Sequence, residues 1–362
     1  MNIHKRFRLI YSECAEILNK IIDKKTTLKN EIYKRNKPVS YLPIIEKVIQ
    51  NYDLLSKIIQ DTNFMKKDKF YSLILCNEIL IGKVKNKFWK EKFESVKKEN
   101  ELFHVIKQKY IRLNTVKGVH SDISNLKLES TFIPNVYKLL EAVDFSKNKA
   151  YKEGKIVIQN IASCLPAYIL DPLPNSRIID ACAAPGNKTS HLSNLLKNTG
   201  KVYAIEVDSK RFKILNYHVN KLGLKNVETI NKDFFDIKPD KYSNIDYIVV
   251  DPSCSGSGMH DFYEKDDERI KNLQKFQIKI LKHALSFGAK KIVYSTCSLH
   301  KEEGEDVINE VIKDDKYEIF DLAKIFDNGV FNGIEVKDKF VRCVSTNNKE
   351  TIGFFAALLV KK

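Results

Sequence analysis

Residues 178–189 read IIDACAAPGNKT (Ile178–Thr189), and this stretch decides the fold class. Two β-branched apolar residues before an acid are typical of a buried strand that ends at Asp180. Small residues then form a tight turn, and a helical run starts at Lys188. Small residues let a backbone approach a ligand closely, and the first N–H groups of a helix have no partner within it. The stretch therefore predicts a strand–turn–helix corner that binds a nucleotide-like ligand.

Strands and helices alternate around this corner, which predicts a doubly wound α/β domain. The predicted strands are Arg177–Asp180, Lys201–Glu206, Val227–Asn231, Tyr247–Asp251, Lys291–Ser295 and Gly353–Val360. The predicted helices are Lys188–Lys197, Lys210–Leu222, Arg269–Leu285 and Gly304–Ile312. The turn has neither the GxGxxG spacing of dinucleotide-binding folds nor the GxxxxGK[ST] spacing of a phosphate-binding loop.

Acidic residues lie at or just after successive predicted strand ends. Glu206 is placed to accept hydrogen bonds from both ribose hydroxyls of an adenosyl group, and Asp208 competes with it for that role. Asp233 follows the next strand, where it or its neighbours would reach the adenine. Any one of these acids alone could be a helix cap or an ion-pair partner. Their shared position at one sheet edge favours a cofactor site.

Two cysteines follow the next two predicted strands, Cys254 in DPSCSGSG and Cys297 in YSTCS. A buried cysteine usually serves as a small apolar residue, but these two stand in polar turns. Carbon 5 of cytosine is too poor a nucleophile to attack a methyl sulfonium directly. A thiolate added at carbon 6 leaves enamine density on carbon 5, which then accepts the methyl group. One cysteine can attack and the other can assist release.

Two charged residues complete the candidate catalytic set. Asp251 is placed to hydrogen-bond ring nitrogen 3 and the exocyclic amine, and a proton held at nitrogen 3 stabilises charge that develops in the transition state. Lys188 is placed to lower a thiolate pKa or to contact the base.

The composition indicates the compartment and the partner. Residues 1–150 carry 30 Lys+Arg and 17 Asp+Glu, a net +13, whereas residues 151–362 carry 32 and 29, a net +3. A basic front half suits a polyanion-binding module, although a lysine-rich solubilising surface is the alternative. The seven cysteines include no CxxC pair, which disfavours disulfides and a structural zinc site, so we expect no metal and a reducing compartment. We find no apolar run of membrane-spanning length and expect a soluble protein with no membrane partner.

Three domains are predicted along the chain. Residues 1–108 form a basic helical domain that includes the apolar segments Tyr41–Gln60 and Phe70–Ile81 and the charged segment Lys87–Lys109. We interpret the aromatic residues of the last segment as helix-bundle core rather than as base-stacking groups. Residues 109–153 form a small α+β subdomain that starts with the strand Tyr110–Val116, and residues 154–362 form the α/β domain.

Several motifs resemble those of the NOP/Sun-type RNA cytosine-5 methyltransferases, and most closely the branch that acts on large-subunit ribosomal RNA. The resemblance covers residues 109–362 strongly and the helical front more weakly. One departure is Asn160, where the family usually has Asp. The matching motifs are RLNTVK (Arg112–Lys117), GKIVIQNIASCLPA (Gly154–Ala167), DACAAPGNKTSHL (Asp180–Leu192), DPSCSGSGM (Asp251–Met259), STCSLHKEEGEDV (Ser295–Val307) and GFFAALL (Gly353–Leu359).

The resemblance implies a Rossmann-like class I methyltransferase domain that uses S-adenosyl-L-methionine, preceded by the helical domain and an RNA-binding α+β subdomain. It implies that Cys297 attacks carbon 6 and that Cys254 promotes release. Arg211 is a candidate on this ground alone. The cofactor site would be lined by Cys182, Ala183, Ala184, Pro185, Gly186, Asn187, Lys188, Glu206, Arg211, Asp233 and Asp251.

The implied partner is RNA, in particular large-subunit ribosomal RNA or a pre-ribosome. The expected location is the nucleus or nucleolus in a eukaryote and the cytoplasm otherwise, and a monomer is favoured. A transfer-RNA methyltransferase of the same family and a non-catalytic ribosome-assembly factor remain alternatives. DNA cytosine-5 methyltransferases attack with the cysteine of the fourth-strand motif and have none after the fifth strand, so Cys297 favours RNA. A small-molecule methyltransferase would need neither the paired thiols nor the basic front half.

Overall fold

The computed structural model describes residues 3–22, 31, 38–81, 83–96, 109–141, 143–242, 244–259, 265–313, 316–322, 325, 335–336, 339–340 and 351–362. The described residues form two compact units, the helices before residue 97 and the chain from residue 109 onward. Cys343 and the predicted helical residues 97–108 lie outside the described residues.

The first unit is a bundle of helices α1 (Ile3–Ile22), α2 (Pro38–Gln50), α3 (Tyr52–Asp61), α4 (Lys69–Leu80) and α5 (Lys87–Val96). The segment predicted as one helical stretch, Tyr41–Gln60, is two helices that meet at Asn51. The Asn51 side chain donates to the Lys47 carbonyl at 2.8 Å, which is how asparagine competes with helical backbone bonds. Apolar residues at helical spacing fill the core, among them Ile45, Val48, Leu55 and Ile58.

The aromatic residues of α5 divide between core and surface. Phe93 is fully buried, and the Trp89 ring meets Phe64 edge-on with centroids 4.6 Å apart. Phe88 is 66% exposed, so the core prediction is right for two of these three rings and wrong for Phe88. Neighbouring helical positions point about 100° apart, and only one of the pair can face the core fully.

The second unit begins with a small antiparallel sheet of β1 (Tyr110–Leu113), β2 (Leu128–Ser130), β3 (Val136–Leu139) and β4 (Ile156–Ile158), in the order β2-β3-β1-β4. The short helix α6 (Lys149–Lys152) precedes β4. β1 ends before the predicted Val116 because Asn114 starts a turn, in which it accepts from the Lys117 and Gly118 N–H groups. The sheet includes β4, which lies beyond residue 153. The boundary between the subdomain and the α/β domain at residue 153 stays a prediction.

The rest of the second unit alternates helices and strands along the chain. These are α7 (Ile161–Leu170), β5 (Arg177–Asp180), α8 (Asn187–Leu195), β6 (Lys201–Ile205), α9 (Ser209–Leu222), β7 (Val227–Ile230), β8 (Tyr247–Val250), α10 (Asp267–Leu285), β9 (Lys291–Thr296), α11 (Glu305–Val311), β10 (Tyr317–Ile319), the pair β11 (Glu335–Val336) and β12 (Lys339–Phe340), and β13 (Phe355–Lys361). Seven strands form one sheet in the order β10-β13-β9-β8-β5-β6-β7.

The order of the large sheet places the site. Strands β5 to β9 are parallel, whereas β13 is antiparallel to both β9 and β10. The chain runs outward from β5 to β7 and then returns to β8 on the other side of β5. This reversal opens a crevice at the carboxyl ends of the strands, where ligands of such sheets bind. The predicted Rossmann-like α/β fold is confirmed.

Candidate active site

The turn after β5 is held in place by backbone contacts with both neighbouring strands. The Ala181 N–H donates to the Val249 carbonyl, and the Ala183 N–H donates to the Ile205 carbonyl at 2.8 Å. Gly186 precedes α8 with φ +106°, a conformation that favours glycine, and a Cβ there would lie 3.1 Å from Leu215 Cδ1. The turn residues Cys182–Asn187 therefore follow a path in which the backbone lines the crevice.

Asp180 lies beneath this turn and is fully buried. Its Oδ2 accepts from the Thr189 hydroxyl at 2.7 Å, whereas Oδ1 has no hydrogen-bond partner among the described residues. Burial raises the pKa of Asp180 to about 6. A buried carboxylate oxygen without a partner is costly, which fits a site that a cationic group of the cofactor completes.

We expect Asp180→Asn to stabilise the fold while weakening cofactor binding. Because burial raises the pKa of Asp180 from its ordinary value of 3.8 to about 6, the contribution of this carboxyl to the stability of the fold is lost as pH rises through the folded pKa. Asparagine avoids that loss, so the free energy of unfolding rises by up to about 3 kcal/mol near pH 7.5 and much less near pH 4. Urea titrations at both pH values measure the difference. A gap between variant and wild type that does not grow with pH would contradict this account of Asp180.

Glu206 and Arg211 connect the end of β6 to the turn. The Glu206 side chain is 3% exposed and accepts from the Asp208 N–H at 2.9 Å. One Arg211 nitrogen lies 3.5 Å from Glu206 Oε2, and the other donates to the Ala184 carbonyl at 2.8 Å. The buried acid at the strand end and the candidate arginine are thus joined in one network with the turn backbone.

The other two acids at this edge cap helices. The Asp208 carboxylate accepts from the Lys210 and Arg211 N–H groups at the start of α9. The exposed Asp233 carboxylate accepts from the Phe235 N–H at 3.0 Å and starts a 3₁₀ helix, Phe234–Asp236. Asp208, the competitor of Glu206 for the ribose hydroxyls, therefore caps α9. Asp233 lies just after β7 and caps the 3₁₀ helix.

Asp251, just after β8, forms the centre of the other half of the site. Its Oδ2 lies 2.6 Å from Lys188 Nζ, and its Oδ1 accepts from the Ser295 hydroxyl at 2.8 Å. Burial lowers the pKa of Lys188, but the charge and hydrogen bond of Asp251 outweigh burial and raise it. Lys188 is therefore an ammonium group at neutral pH, and the carboxylate is fixed in orientation from two sides.

The two candidate cysteines come together beside this ion pair. Cys254 Sγ and Cys297 Sγ are 3.2 Å apart, and both side chains are partly exposed. The hydrogen bond to Cys297, together with burial, raises the pKa of Cys254 well above its ordinary value. We infer that Cys254 remains a thiol that donates to the Cys297 sulfur. The Cys297 charge also contributes to the raised pKa of Lys188, so that ammonium lies in the field of the same sulfur.

Arg112 has no individual role in the sequence-based prediction, but it is 1% exposed and joins the small sheet to α8. Its guanidinium donates to Gln159 at 2.9 Å and Ser190 at 2.6 Å, and also to Asn194. Burial lowers its pKa to about 10. Arg112 is the first residue of the motif RLNTVK and stands between Ile111 and Leu113 in a strand. An arginine between two apolar neighbours in a strand indicates a buried side chain that holds other segments by hydrogen bonds.

No described helix is long and apolar enough to cross a membrane. In the same part of the chain, no three His, Cys, Asp or Glu side chains are grouped so that they could hold a metal ion.

A doubly wound sheet with these strand-end groups defines a class I methyltransferase. The chain matches the family model described as "16S rRNA methyltransferase RsmB/F" over residues 167–360. The chain belongs to this family of S-adenosyl-L-methionine-dependent RNA cytosine-5 methyltransferases, which confirms the resemblance seen in its NOP/Sun-type motifs.

Two relatives and one solved structure illustrate the likeness. A mouse (Mus musculus) 28S rRNA (cytosine-C(5))-methyltransferase is 37% identical over 258 residues, which are 68% of this chain and 54% of the mouse protein. The 25S rRNA (cytosine-C(5))-methyltransferase rcm1 of Schizosaccharomyces pombe is 32% identical over 418 residues, 96% of this chain and 90% of the relative. A crystal structure of a methyltransferase homolog from Pyrococcus horikoshii has a TM-score of 0.61 at 23% identity, covers 85% of this chain and 99% of its own, and supports the fold.

Proposed function

We propose that this protein methylates carbon 5 of a cytosine in large-subunit ribosomal RNA through a covalent bond between Cys297 and the base. The observation that carries the proposal is the pair of thiols, 3.2 Å apart, at the crevice of a class I methyltransferase fold. The relatives named above methylate 25S or 28S ribosomal RNA according to their names, which supports this substrate.

The first step is the attack of the Cys297 thiolate on carbon 6 of the cytosine. The new S–C bond breaks the double bond between carbons 5 and 6, and the electron pair becomes available at carbon 5. Two neighbours would favour the Cys297 thiolate before the attack, because a Cys254 S–H group would donate to its sulfur across the 3.2 Å contact and Lys188 provides a positive charge. This arrangement supports the proposal that Cys297, and not Cys254, is the nucleophile.

Asp251 is proposed to hold the base edge. The carboxylate would accept a hydrogen bond from the exocyclic amine and hold at nitrogen 3 a proton that the base takes up from solvent as it binds, while the ring accepts electron density. Lys188 and Ser295 fix the two carboxylate oxygens at 2.6 Å and 2.8 Å, so the carboxylate is oriented before the base arrives. Such preorganisation lowers the reorganisation needed in the transition state.

The cofactor is proposed to lie against the turn Cys182–Lys188, with Glu206 toward the ribose, and with Arg211, Asp233 and Asp251 around it. The buried Glu206 carboxylate and the unsatisfied Asp180 oxygen fit the hydroxyl and amino groups of such a ligand. When bound, S-adenosyl-L-methionine supplies an electrophilic methyl group to carbon 5.

Release requires that the carbon 5 proton leaves and that the bond between carbon 6 and Cys297 breaks. The proton passes to a base, the C–H electron pair restores the double bond, and the sulfur departs as a thiolate. Cys254 is placed to assist because its raised pKa keeps a proton on the sulfur that contacts the departing one. Its S–H group would stabilise the leaving thiolate across the 3.2 Å contact between the two sulfurs.

Bisulfite mapping of ribosomal RNA and transfer RNA, with and without this protein, tests the proposal. We expect a methylated cytosine in large-subunit ribosomal RNA that disappears when the protein is absent. A protein-dependent cytosine in transfer RNA alone would favour the alternative substrate. If the protein instead binds RNA and no cytosine changes, it is a ribosome-assembly factor without catalytic activity.

We also propose that the basic front half, including an RNA-recognition subdomain at 109–153, contacts phosphates. RNA affinity should then fall by at least about 10-fold between 50 and 200 mM salt, because each phosphate contact releases counterions. Exchange of the exposed Lys127, Lys147 and Lys149 to Gln should flatten a filter-binding salt titration. A matched triple change of Lys282, Lys290 and Lys313, which are also exposed, should leave the slope unchanged. Equal slopes for both triple variants would contradict this assignment.

The proposal also specifies the assembly in which the protein would meet its substrate and the compartment in which it would reside. The protein would meet its substrate as a monomer within a pre-ribosome, and in a eukaryote it would reside in the nucleolus. Light scattering of the free protein and imaging of a tagged chain in its source cell test these two points separately.

A further inference from the structure

Glu303 ends a 3₁₀ helix, Lys301–Glu303, behind the two cysteines and is fully buried. Its Oε1 accepts from the Ser255 N–H at 2.9 Å and from the Gln277 amide at 3.0 Å. Its Oε2 accepts from the Ser298 hydroxyl at 2.7 Å. Both oxygens therefore only accept, as an ionised carboxylate does.

The groups that donate hydrogen bonds to the Glu303 carboxylate are uncharged. Within the described ranges of the chain, Glu303 has no lysine or arginine within ion-pair distance. A buried carboxylate without a cation costs several kcal/mol unless its hydrogen bonds are made, which makes a purely apolar or polar-neutral residue the simpler choice for stability alone. A buried acid in this setting points to a role beyond packing.

The donors to Glu303 connect it with both cysteine-bearing loops. Ser255 directly follows Cys254, and Ser298 directly follows Cys297. The third donor, Gln277, also donates to the carbonyl of Ser253 at 3.0 Å, on the other side of Cys254. One carboxylate thus binds the residues next to each sulfur.

Further bonds connect the same two loops. The Ser298 hydroxyl lies 3.1 Å from the Ser255 hydroxyl and 3.2 Å from the Ser257 hydroxyl. The Gly258 N–H donates to the Cys297 carbonyl at 2.9 Å. These contacts lie around Glu303, so the carboxylate is the hub of a hydrogen-bond network that joins the loop after β8 to the loop after β9.

We propose that Glu303 is a positioning residue for the methylation reaction. Glu303 holds the two cysteine sulfurs in contact and keeps the proton on Cys254. The inference rests on the proposed covalent function and adds a residue that acts through both cysteines. The Glu303 charge is one of the causes that raise the pKa of Cys254, after the Cys297 hydrogen bond and burial. Removal of that charge should therefore lower the Cys254 pKa.

The test compares Glu303→Gln with a matched change one residue away, Glu302→Gln. Glutamine has the shape of glutamate, but its amide N–H group would face a donor where a carboxylate oxygen now accepts a hydrogen bond. We expect kcat to fall by about 100-fold, because small displacements of reacting groups have effects of this size, with the KM for S-adenosyl-L-methionine unchanged. Glu302 is 25% exposed and pairs with Lys265, so its variant should keep wild-type kcat.

A second measurement reports directly on the Cys254 sulfur and needs no RNA. The rate of Cys254 alkylation by iodoacetamide, followed by peptide mass spectrometry across pH, should shift to lower pH in Glu303→Gln but not in Glu302→Gln. A role limited to stability would change the melting temperature and leave this profile unmoved. Unchanged kcat and an unchanged alkylation profile in folded Glu303→Gln would overturn the inference.

Ser298→Ala is the milder variant if Glu303→Gln does not fold. It removes one donor and leaves the carboxylate charge, so we expect kcat to fall by about 10-fold while the pH profile of Cys254 alkylation is not shifted to lower pH. Wild-type kcat in this variant would then overturn the inference. Because alkylation needs no RNA, a wild-type protein that fails to methylate ribosomal RNA would contradict the proposed function and leave this test intact.

Discussion

Cys297→Ala is expected to abolish methyl transfer, with a loss on the order of 10⁴- to 10⁶-fold, as when other enzymes lose their nucleophile. Alanine has no group that can add to carbon 6, so carbon 5 of the cytosine never becomes nucleophilic. Transfer of the tritiated methyl group from S-adenosyl-L-methionine to RNA measures the loss. Measurable turnover in the variant would contradict the covalent mechanism.

The fold and the cofactor site should survive this change. Cys297 follows β9, which is separated by β8 from β5 and the turn Cys182–Lys188, so calorimetry should give a cofactor Kd close to that of the wild type. The sulfur contact with Cys254 is lost, and the Cys254 pKa should fall because that contact is the largest cause of its elevation. Weakened cofactor binding would indicate a folding defect instead of a chemical one. Cys182→Ala is not an equivalent control, because it alters the turn itself.

The positions of the site residues could be predicted from the sequence because the geometry of a parallel sheet is regular. Once the strands before Asp180, Glu206, Asp251 and Cys297 are recognised, their carboxyl ends must meet at one edge. The predicted boundaries of the six strands of the α/β domain agree with the observed ones within two residues, whereas β1 ends three residues before the predicted Val116. Hydrophobic runs and turn residues determine these boundaries locally, so no long-range information is needed.

The side-chain partners could not be predicted, since they depend on distances between segments far apart in sequence. Asp208 and Glu206 are equivalent in the pattern, and only the N–H groups at the start of α9 identify the first as a cap. Arg112 meets Asn194 across 82 residues, and Ser255 meets Glu303 across 48. Likewise, periodicity could not place Phe88 at the surface, because it has the same character as its buried neighbours.

The same limit applies to the cysteine pair, because the sequence pattern predicts two neighbouring strand ends but no distance between the sulfurs. Parallel strands lie about 4.8 Å apart, so residues at adjacent ends can either touch or point apart. The 3.2 Å contact between the sulfurs shows that they touch, and the network around Ser298 explains why the loops converge. A contact at this distance makes the two thiols chemically dependent on each other, which leads to the second large effect.

Cys254→Ala should stop the reaction after the methyl group has been transferred. The nucleophile Cys297 and the ion pair of Lys188 with Asp251 remain, so attack and methylation proceed once. Without the S–H group at 3.2 Å, the departing thiolate loses its hydrogen-bond donor, and release slows by about 10²- to 10⁴-fold, the size of effect usual for a group that assists a leaving group in this way. A stable protein–RNA adduct should then accumulate in the presence of cofactor.

Denaturing gels with labelled RNA detect the adduct as a band of reduced mobility that is absent with Cys297→Ala and with the double variant. The double variant separates the two roles, because an adduct can form only where the Cys297 thiolate is present. Peptide mass spectrometry of the trapped band should find the cytosine on Cys297 and a methyl group on the base. An adduct-free Cys254→Ala reaction with wild-type turnover would assign release to another group. In that case the raised pKa of Cys254 would serve only to supply the hydrogen bond that favours the Cys297 thiolate before attack.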